Sequence, residues 1–143
     1  MATTIETSGE FAGWTTWKEE PFEHDTAGPF YFKVDEKGPV AAFRVTRKHM
    51  NAGGVVHGGC LMTFADFALF ALGHDAMEGS YGVTVAFTAE FIDGALEGEL
   101  LTARGDTLRK GGSLSFVRGI IHGEDGRPVL NFSGTIKKLR KPA

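Results

Sequence analysis

The clearest pattern in the chain is a long apolar segment with alternating segments on either side of it. Residues 60–72 contain only two polar side chains, Thr63 and Asp66. Their leucine, methionine and alanine content favours a helix, and the segment is longer than a typical strand. A helix that is apolar on nearly every side must be covered over most of its surface. Residues 51–59 include four glycines, so we expect an irregular loop before the helix.

Extended segments are predicted on both sides of this helix. Residues 29–33 and 40–46 flank a turn and indicate a hairpin. After the helix, every second residue from Val83 to Phe91 is apolar, and further strands are predicted at 100–108, 114–121 and 130–136. Short connections favour antiparallel neighbours. The order predicts an α+β domain, with an antiparallel sheet of about five to six strands wrapped around one long buried helix.

The N-terminal residues have a weaker pattern. Phe11, Trp14 and Trp17 recur at every third position, which fits either a short helix or an arm lying on the body of the protein. The rings would then anchor this segment. We therefore predict an N-terminal arm or short helix at residues 1–25, followed by one domain at residues 26–143.

Composition narrows the class of protein. With 143 residues, 42% hydrophobic and 23% charged, the chain fits a single globular domain. A net charge of −3 does not indicate a nucleic-acid partner, and one cysteine excludes an internal disulfide framework. The apolar run is too short to span a bilayer, and the first residues lack the pattern of a secretory signal. We expect a cytoplasmic enzyme or binding domain with no membrane partner, no cofactor and no metal.

Asp66 is the strongest candidate for chemistry. It is the only charged residue between His57 and His74, and it falls in the middle of the apolar segment. A buried, unpaired carboxylate is costly, so this position indicates a function. The alternative is structural: Asp66 and Thr63 would form a short polar stripe on the helix surface.

The loop before the helix is the second candidate. Free N–H groups and the positive end of the helix dipole would let Gly58 and Gly59 hold an oxyanion. A tight turn from strand to helix would also need glycine, so both interpretations stay open. Cys60 and His57 could be considered a nucleophile and its base. Because Cys60 lies in an apolar segment, a small buried side chain is favoured instead.

These residues resemble the hotdog-fold acyl-CoA thioesterases, and among them the phenylacetyl-CoA thioesterase-like (PaaI-like) branch. One similar feature is the segment Asn51–Gly59. The others are the spacing of six residues from Asn51 to His57 and the spacing of nine residues from His57 to Asp66. Gly82–Val85 is similar to the strand that follows in that family. The similarity runs from about Pro29 to Lys138. It implies hydrolysis of an acyl-CoA to free acid and CoA without a cofactor, and it leaves the acyl group open.

The resemblance also implies a role for each matching residue. Asp66 would be the general base or the nucleophile, and the Gly58 N–H group would polarise the thioester carbonyl group. Asn51 would position substrate or water, His57 would shape the loop, and Thr84 would hold water near the carboxylate. Because CoA carries phosphates, substrate contacts are expected from basic residues at the pocket mouth. The candidates are Gly59 in the loop and the basic residues Arg109, Lys110, Lys137 and Lys138, which could equally be solvated charges.

The spacing of Gly58 and Asp66 predicts a site shared by two chains. Eight residues of one helix span about 12 Å along its axis. Reacting groups must approach to about 3–3.5 Å. Two antiparallel helices at a two-fold interface bring Gly58, His57 and Asn51 of one chain beside Asp66 and Thr84 of the other. We expect a homodimer, and the resemblance suggests a homotetramer made of two such dimers.

Two other functions fit parts of the pattern. A hotdog-type acyl-CoA dehydratase or hydratase would use a catalytic histidine with an acidic residue in a different loop context. A non-catalytic acyl-CoA binding module would not require a buried carboxylate, so Asp66, Asn51 and Thr84 together favour the thioesterase.

Overall fold

The computed structural model describes residues 2–77 and 81–139. Its long helix is α1 (Gly58–Leu72), followed by a short helix, α2 (His74–Met77). A π-helical turn covers Pro21–Ala27, and a 3₁₀ turn covers Arg47–His49. The strands are β1 (Thr4–Ile5), β2 (Thr15–Thr16), β3 (Tyr31–Asp35), β4 (Gly38–Arg44), β5 (Tyr81–Phe91), β6 (Leu100–Lys110), β7 (Leu114–His122) and β8 (Pro128–Leu139).

The strands of the described residues form one antiparallel sheet in the order β1-β2-β3-β4-β6-β7-β8-β5. The predicted α+β class is confirmed, but the number of strands is eight rather than five or six. The two additional strands, β1 and β2, have two residues each and add to β3 through the pair Thr15↔Phe32. Two residues are too few to show an alternating pattern in the sequence. Residues 11–13 form turns, so the segment containing Phe11, Trp14 and Trp17 is not helical.

The sheet wraps around α1 and buries most of it. Phe64, Phe67 and Leu69 are at most 1% exposed and pack into one apolar core with the inner faces of β4, β6, β7 and β8. Trp17 joins this core from the N-terminal segment, with its ring centroid 5.0 Å from that of Phe67. One stripe of α1 stays partly open, and it consists of Gly59, Met62, Thr63, Asp66 and Phe70. The spacing of these residues is that of one helical face.

Among the described strands, β5 pairs only with β8 and lies at the edge of the sheet. The pairing shifts register between Thr84 and Ala86, so Val85 is an extra residue on β5. The alternating apolar residues from Val83 to Phe91 do not share one face of the strand. Val83 and Val85 are 39% and 53% exposed, whereas Phe87 packs against the core. A one-residue bulge moves every following side chain to the opposite face.

The connection from β5 to β6 also differs from the expectation of antiparallel neighbours. These consecutive strands lie apart in the sheet, because β6 pairs with β4 and β7. The helix α1 crosses the inner face between the first hairpin and β5, which places β5 at the far edge. Asp66 and β5 therefore meet where the sheet no longer covers the helix.

Candidate active site

Asp66 lies on the partly open stripe of α1, and its carboxylate group is held by strand β5. The Thr84 hydroxyl group donates a hydrogen bond to Asp66 Oδ1 at 2.6 Å. Burial raises the pKa of Asp66 above its ordinary value, and the bond from Thr84 opposes this shift. The second carboxylate oxygen, Oδ2, has no hydrogen bond with a described residue. Asp66 thus has one fixed oxygen and one oxygen free to accept a proton or attack a carbon.

A pocket of about 240 Å³ opens beside this carboxylate group. Two of its lining residues, Asp66 and Thr84, are site residues that the sequence analysis predicted. Two further carboxyl groups, from Glu20 and Glu23, also line it, and sequence reasoning missed both. Trp17, Glu20 and Glu23 recur at every third position, and this repeat is the signal that could have found the two glutamates. The remaining lining residues are aromatic, aliphatic or glycine: Trp17, Phe70, Tyr81, Gly82 and Val83.

The N-terminus of α1 is organised by His57. The His57 Nδ1 atom accepts a hydrogen bond from the Gly59 N–H group at 2.9 Å. The His57 carbonyl oxygen accepts bonds from the N–H groups of Cys60 and Leu61, at 2.9 and 3.1 Å. The Gly58 N–H group is therefore the one in the first turn that has no acceptor among the described residues. Helix geometry leaves it free for a ligand.

The loop before α1 is shaped by Asn51. Its Oδ1 atom accepts hydrogen bonds from the N–H groups of Gly53 and Val55, at 2.9 and 3.2 Å. The His57 N–H group donates to the His49 carbonyl oxygen at 2.8 Å, which fixes the end of the loop. Asn51 also lines a groove of about 740 Å³ together with Arg47, a basic residue that the sequence analysis did not single out.

The structure keeps the Gly58 loop and the Asp66 carboxylate apart within one chain. Eight residues of α1 separate them, about 12 Å along the axis. None of Asn51, His57, Gly58 and Gly59 lines the pocket at Asp66. Gly58 faces Phe91 instead: a β-carbon added at Gly58 would lie 3.2 Å from Phe91 Cε1. Phe91 itself is 54% exposed.

The four basic candidates lie at one end of the sheet, where Lys137 and Lys138 on β8 pair with Val83 and Gly82, two residues that line the pocket. Arg109 and Lys110 end strand β6, and Lys137 and Lys138 lie near the end of β8. The Lys138 ammonium group donates to the Gly111 carbonyl oxygen at 3.2 Å in the turn between β6 and β7. Among the described lining residues, none of these four contributes to the pocket at Asp66.

Other chemistry finds less support. Burial raises the pKa of the Cys60 thiol to about 11, so this group is a thiol and not a thiolate at neutral pH. Within residues 2–77 and 81–139, no three His, Cys, Asp or Glu side chains are grouped so that they could hold a metal ion. No helix in the same ranges is long and apolar enough to cross a membrane.

Comparison with known proteins places these features in a family. The family model described as the thioesterase superfamily matches residues 53–130, which include Gly58, Asp66 and Thr84. PA0474 of Pseudomonas aeruginosa, a candidate esterase, is 32% identical over 112 residues, covering 77% of this chain and 83% of that protein.

Solved structures of thioesterases have a similar fold. A hypothetical thioesterase of Streptococcus pneumoniae with coenzyme A has a TM-score of 0.73 at 21% identity, covering 85% of this chain and 95% of its own. The PaaI protein of the E. coli phenylacetic acid degradation operon has a TM-score of 0.64 at 25% identity, covering 71% and 72%. The predicted hotdog fold and the PaaI-like resemblance are confirmed. The chain belongs to the thioesterase superfamily and is a thioester hydrolase.

Proposed function

We propose that the protein hydrolyses an acyl-CoA to free acid and CoA, with Asp66 as the group that activates or delivers the attacking oxygen. The observation that carries this proposal is the Asp66 carboxylate group, which is fixed through Oδ1 by Thr84 and lines a pocket. The bound coenzyme A of the Streptococcus pneumoniae neighbour supports CoA as the thiol part of the substrate.

Two routes use this carboxylate group. As a general base, Asp66 takes a proton from water while the water oxygen bonds to the thioester carbon; the C–S bond then breaks and the CoA thiolate takes up a proton. As a nucleophile, Asp66 bonds to the carbon, CoA leaves, and water cleaves the resulting anhydride to acid and free carboxylate. Both routes build negative charge on the carbonyl oxygen, so both need a nearby donor.

The Gly58 N–H group of a second chain is the donor in this proposal. Within one chain, the distance of about 12 Å between Gly58 and Asp66 is too long for both to act on one carbonyl group. An antiparallel partner helix would place its Asp66 and Thr84 beside Gly58, His57 and Asn51. Met62 lies midway between Gly58 and Asp66 on α1, so the two-fold axis would pass near it.

Exposed apolar surface supports this dimer. Met62 on α1 is 42% exposed, and Val83, Val85 and Phe91 on the neighbouring edge strand are 39–54% exposed. An apolar strand with an unpaired edge is a liability in a monomer, and pairing with a second copy would cover it. The packing of two dimers into a tetramer and a cytoplasmic location stay predictions.

The route of CoA follows from charge. Its phosphates would be attracted to the basic cluster of Arg109, Lys110, Lys137 and Lys138 or to Arg47 in the groove beside Asn51. Gly59 would contact the CoA part of the substrate from the loop that it shares with His57. The pocket at Asp66, lined by carboxyl groups, would repel the same phosphates.

Release of free CoA from a panel of acyl-CoAs tests the proposal. The panel contains phenylacetyl-CoA, hydroxylated aryl-CoAs and straight chains of short, medium and long length. The variants are Asp66→Asn and, as a matched control, Asp106→Asn, which changes an exposed aspartate paired with Arg118. We expect turnover in the native protein and in the control, and a loss of about 10²–10⁴-fold in Asp66→Asn. Tight binding of acyl-CoAs without release by the native protein would instead establish a binding module.

A further inference from the structure

Glu23 is a carboxyl group that reaches the pocket at Asp66 from outside the matched family region. It lies on the π-helical turn Pro21–Ala27, whereas the family model begins at residue 53. The turn is anchored at its C-terminal end by His49, whose Nε2 atom donates to the Ala27 carbonyl oxygen at 2.7 Å. The Lys48 ammonium group also donates to the Gly28 carbonyl oxygen. These bonds hold Glu23 against α1, so its position is a feature of the fold.

Among the described residues, Glu23 pairs with no basic side chain; Lys137 and Lys138 lie on β8, opposite the lining residues Val83 and Gly82. The Glu23 carboxyl group has no hydrogen bond or ion pair with a described residue. The titratable groups around it in the pocket are Glu20, Asp66 and Tyr81. On its own turn, His24 is engaged by Asp25 at 2.7 Å. None of the described lining residues is basic.

The electrostatic consequence is a carboxyl group that holds its proton. Burial, with smaller contributions from Glu20 and Asp66, raises the pKa of Glu23 to about 8. The group is therefore neutral at neutral pH and becomes negative as the pH rises above this value. A positive charge brought into the pocket would favour the ionised form, and a negative charge would oppose it.

The pocket can take only one end of the substrate. CoA is polyanionic, and the acidic side chains of Glu20 and Asp66 in this space repel its phosphates, joined by Glu23 once it ionises. Two uncharged arms flank the thioester carbon; the pantetheine arm leads to the phosphates, so the acyl group is the arm assigned to this pocket. A volume of about 240 Å³ fits a small acyl group and excludes a nucleotide.

We propose that Glu23 is a specificity-determining residue of this site, which makes the acyl pocket accept cationic or neutral acyl groups and reject acyl groups that carry a carboxylate. The inference rests on the proposed function, because it assigns the acyl group to the pocket beside Asp66. The aromatic rings of Trp17, Phe70 and Tyr81 line the same space and add a favourable surface for a quaternary ammonium group. Trp17 Nε1 is fully buried, so it adds no donor that would attract an anion.

Three acyl-CoAs of similar length test this selectivity: pentanoyl-CoA, glutaryl-CoA and 4-(trimethylammonio)butanoyl-CoA. The readout is kcat/KM for each at pH 6.5 and pH 9, with uncatalysed release subtracted. The native protein should prefer the cationic over the anionic substrate, and this ratio should increase about tenfold at the higher pH as Glu23 ionises. In Glu23→Gln the ratio should fall about tenfold at pH 9 and lose most of its pH dependence.

Two further variants make the assignment specific. Glu23→Asp keeps the charge and should retain the preference. Glu19→Gln makes the same change in net charge at an exposed position outside the pocket and should leave the ratio as in the native protein.

The outcomes separate the two proposals. Release from pentanoyl-CoA with no difference between glutaryl and trimethylammonio substrates would overturn the role of Glu23 while the thioesterase stands. A ratio that Glu23→Gln leaves unchanged would do the same. The pH dependence in the native protein is decisive even if Glu23→Gln fails to fold. No release from these substrates or from the wider panel would overturn the proposed function and this inference with it.

Discussion

Thr84 and Asp66 are joined by a hydrogen bond of 2.6 Å, and the bulge at Val85 directly follows this contact on strand β5. Thr84 faces α1 before the bulge, and Phe87 faces the core after it. An unbulged strand would turn either Thr84 or Phe87 away from the helix. The extra residue lets one edge strand both hold the carboxylate group and close the core.

Replacing Thr84 with valine should change the pH dependence of the enzyme. The Thr84 hydroxyl group donates to the ionised carboxylate and holds the pKa of Asp66 down, against the effect of burial. Without this donor the pKa of Asp66 rises, so the acidic limb of kcat/KM should move to higher pH. Activity at pH 6 should therefore fall more than activity at pH 9. A pH–rate profile checks this, with Thr88→Val, an exposed threonine on the same strand, as control. A uniform loss at every pH would contradict the role of Thr84.

Replacing Gly58 with proline should remove the oxyanion donor and leave the helix intact. Gly58 is the first residue of α1, where proline is well tolerated because its missing N–H group has no partner within the helix. His57 has φ −59° and ψ 134°, a conformation that suits the residue before a proline. We expect kcat to fall about 10²–10³-fold.

Gly58→Ala is the matched control for this change. It adds a side chain near Phe91 but keeps the N–H group. Phe91 is more than half exposed and has room to shift, so the loss should stay below about tenfold. Circular dichroism and thermal unfolding show whether both variants keep the fold. Equal losses in the two variants would mean that the volume at Gly58, and not its N–H group, matters.

Replacing Glu23 with glutamine should stabilise the protein at alkaline pH. The pKa of Glu23 rises from an ordinary value of 4.5 to about 8, so the folded state retains a proton that the unfolded state loses between these values. The free energy of unfolding therefore decreases as the pH increases from 4.5 to 8, and glutamine removes this loss. Allowing for partial access of solvent, we expect a gain on the order of 1–2 kcal/mol at pH 9 relative to pH 5. Urea unfolding at both pH values measures it, with Glu19→Gln as control. Parallel pH dependence in all three proteins would be evidence against a buried neutral Glu23.

The sequence predicts the elements that have a sustained pattern. The apolar run of α1 is long enough to identify the helix, and its start at Gly58 is two residues earlier than predicted because His57 caps it. Strands β6, β7 and β8 are 9 to 12 residues long and were placed within three residues of their ends. In contrast, β1 and β2 have two residues each, and their pairing depends on contacts with β3 that no local pattern encodes.

The site residues likewise include some that the sequence predicts and some that it does not. Asp66 is visible in the sequence because a charge interrupts an apolar helix, and Thr84 follows from the family resemblance. Glu20 and Glu23 are missed because carboxylates in a polar N-terminal segment are typical of a solvated surface. Only the tertiary contact of the π-helical turn with α1 brings them to Asp66. The bulge at Val85 is missed because an extra residue leaves the alternation of letters unbroken while it reverses the faces.

A mixture of two inactive variants should recover activity if the site is shared between chains. Asp66→Asn removes the carboxylate group and keeps Gly58, whereas Gly58→Pro removes the donor and keeps Asp66. In a heterodimer of these chains, one site combines both changes and the other combines the native Gly58 of one chain with the native Asp66 of its partner. Random assembly of equal amounts makes half of the dimers mixed, so about a quarter of the native activity should return.

The chains are co-expressed with different tags, and CoA release is assayed for the mixture and for the purified heterodimer, which has one native site of two and should show about half of the native activity. Asp66→Asn with Thr84→Val is the control pair, because these two residues act in the same half of the site. Their heterodimer has a defect in both sites and should show no activity beyond that of Thr84→Val chains. If each chain carried a complete site, every chain in the first mixture would have one defect, and no activity would return. Recovery in the first pair alone therefore requires that Gly58 and Asp66 act on one substrate from different chains, as the distance of about 12 Å along α1 demands.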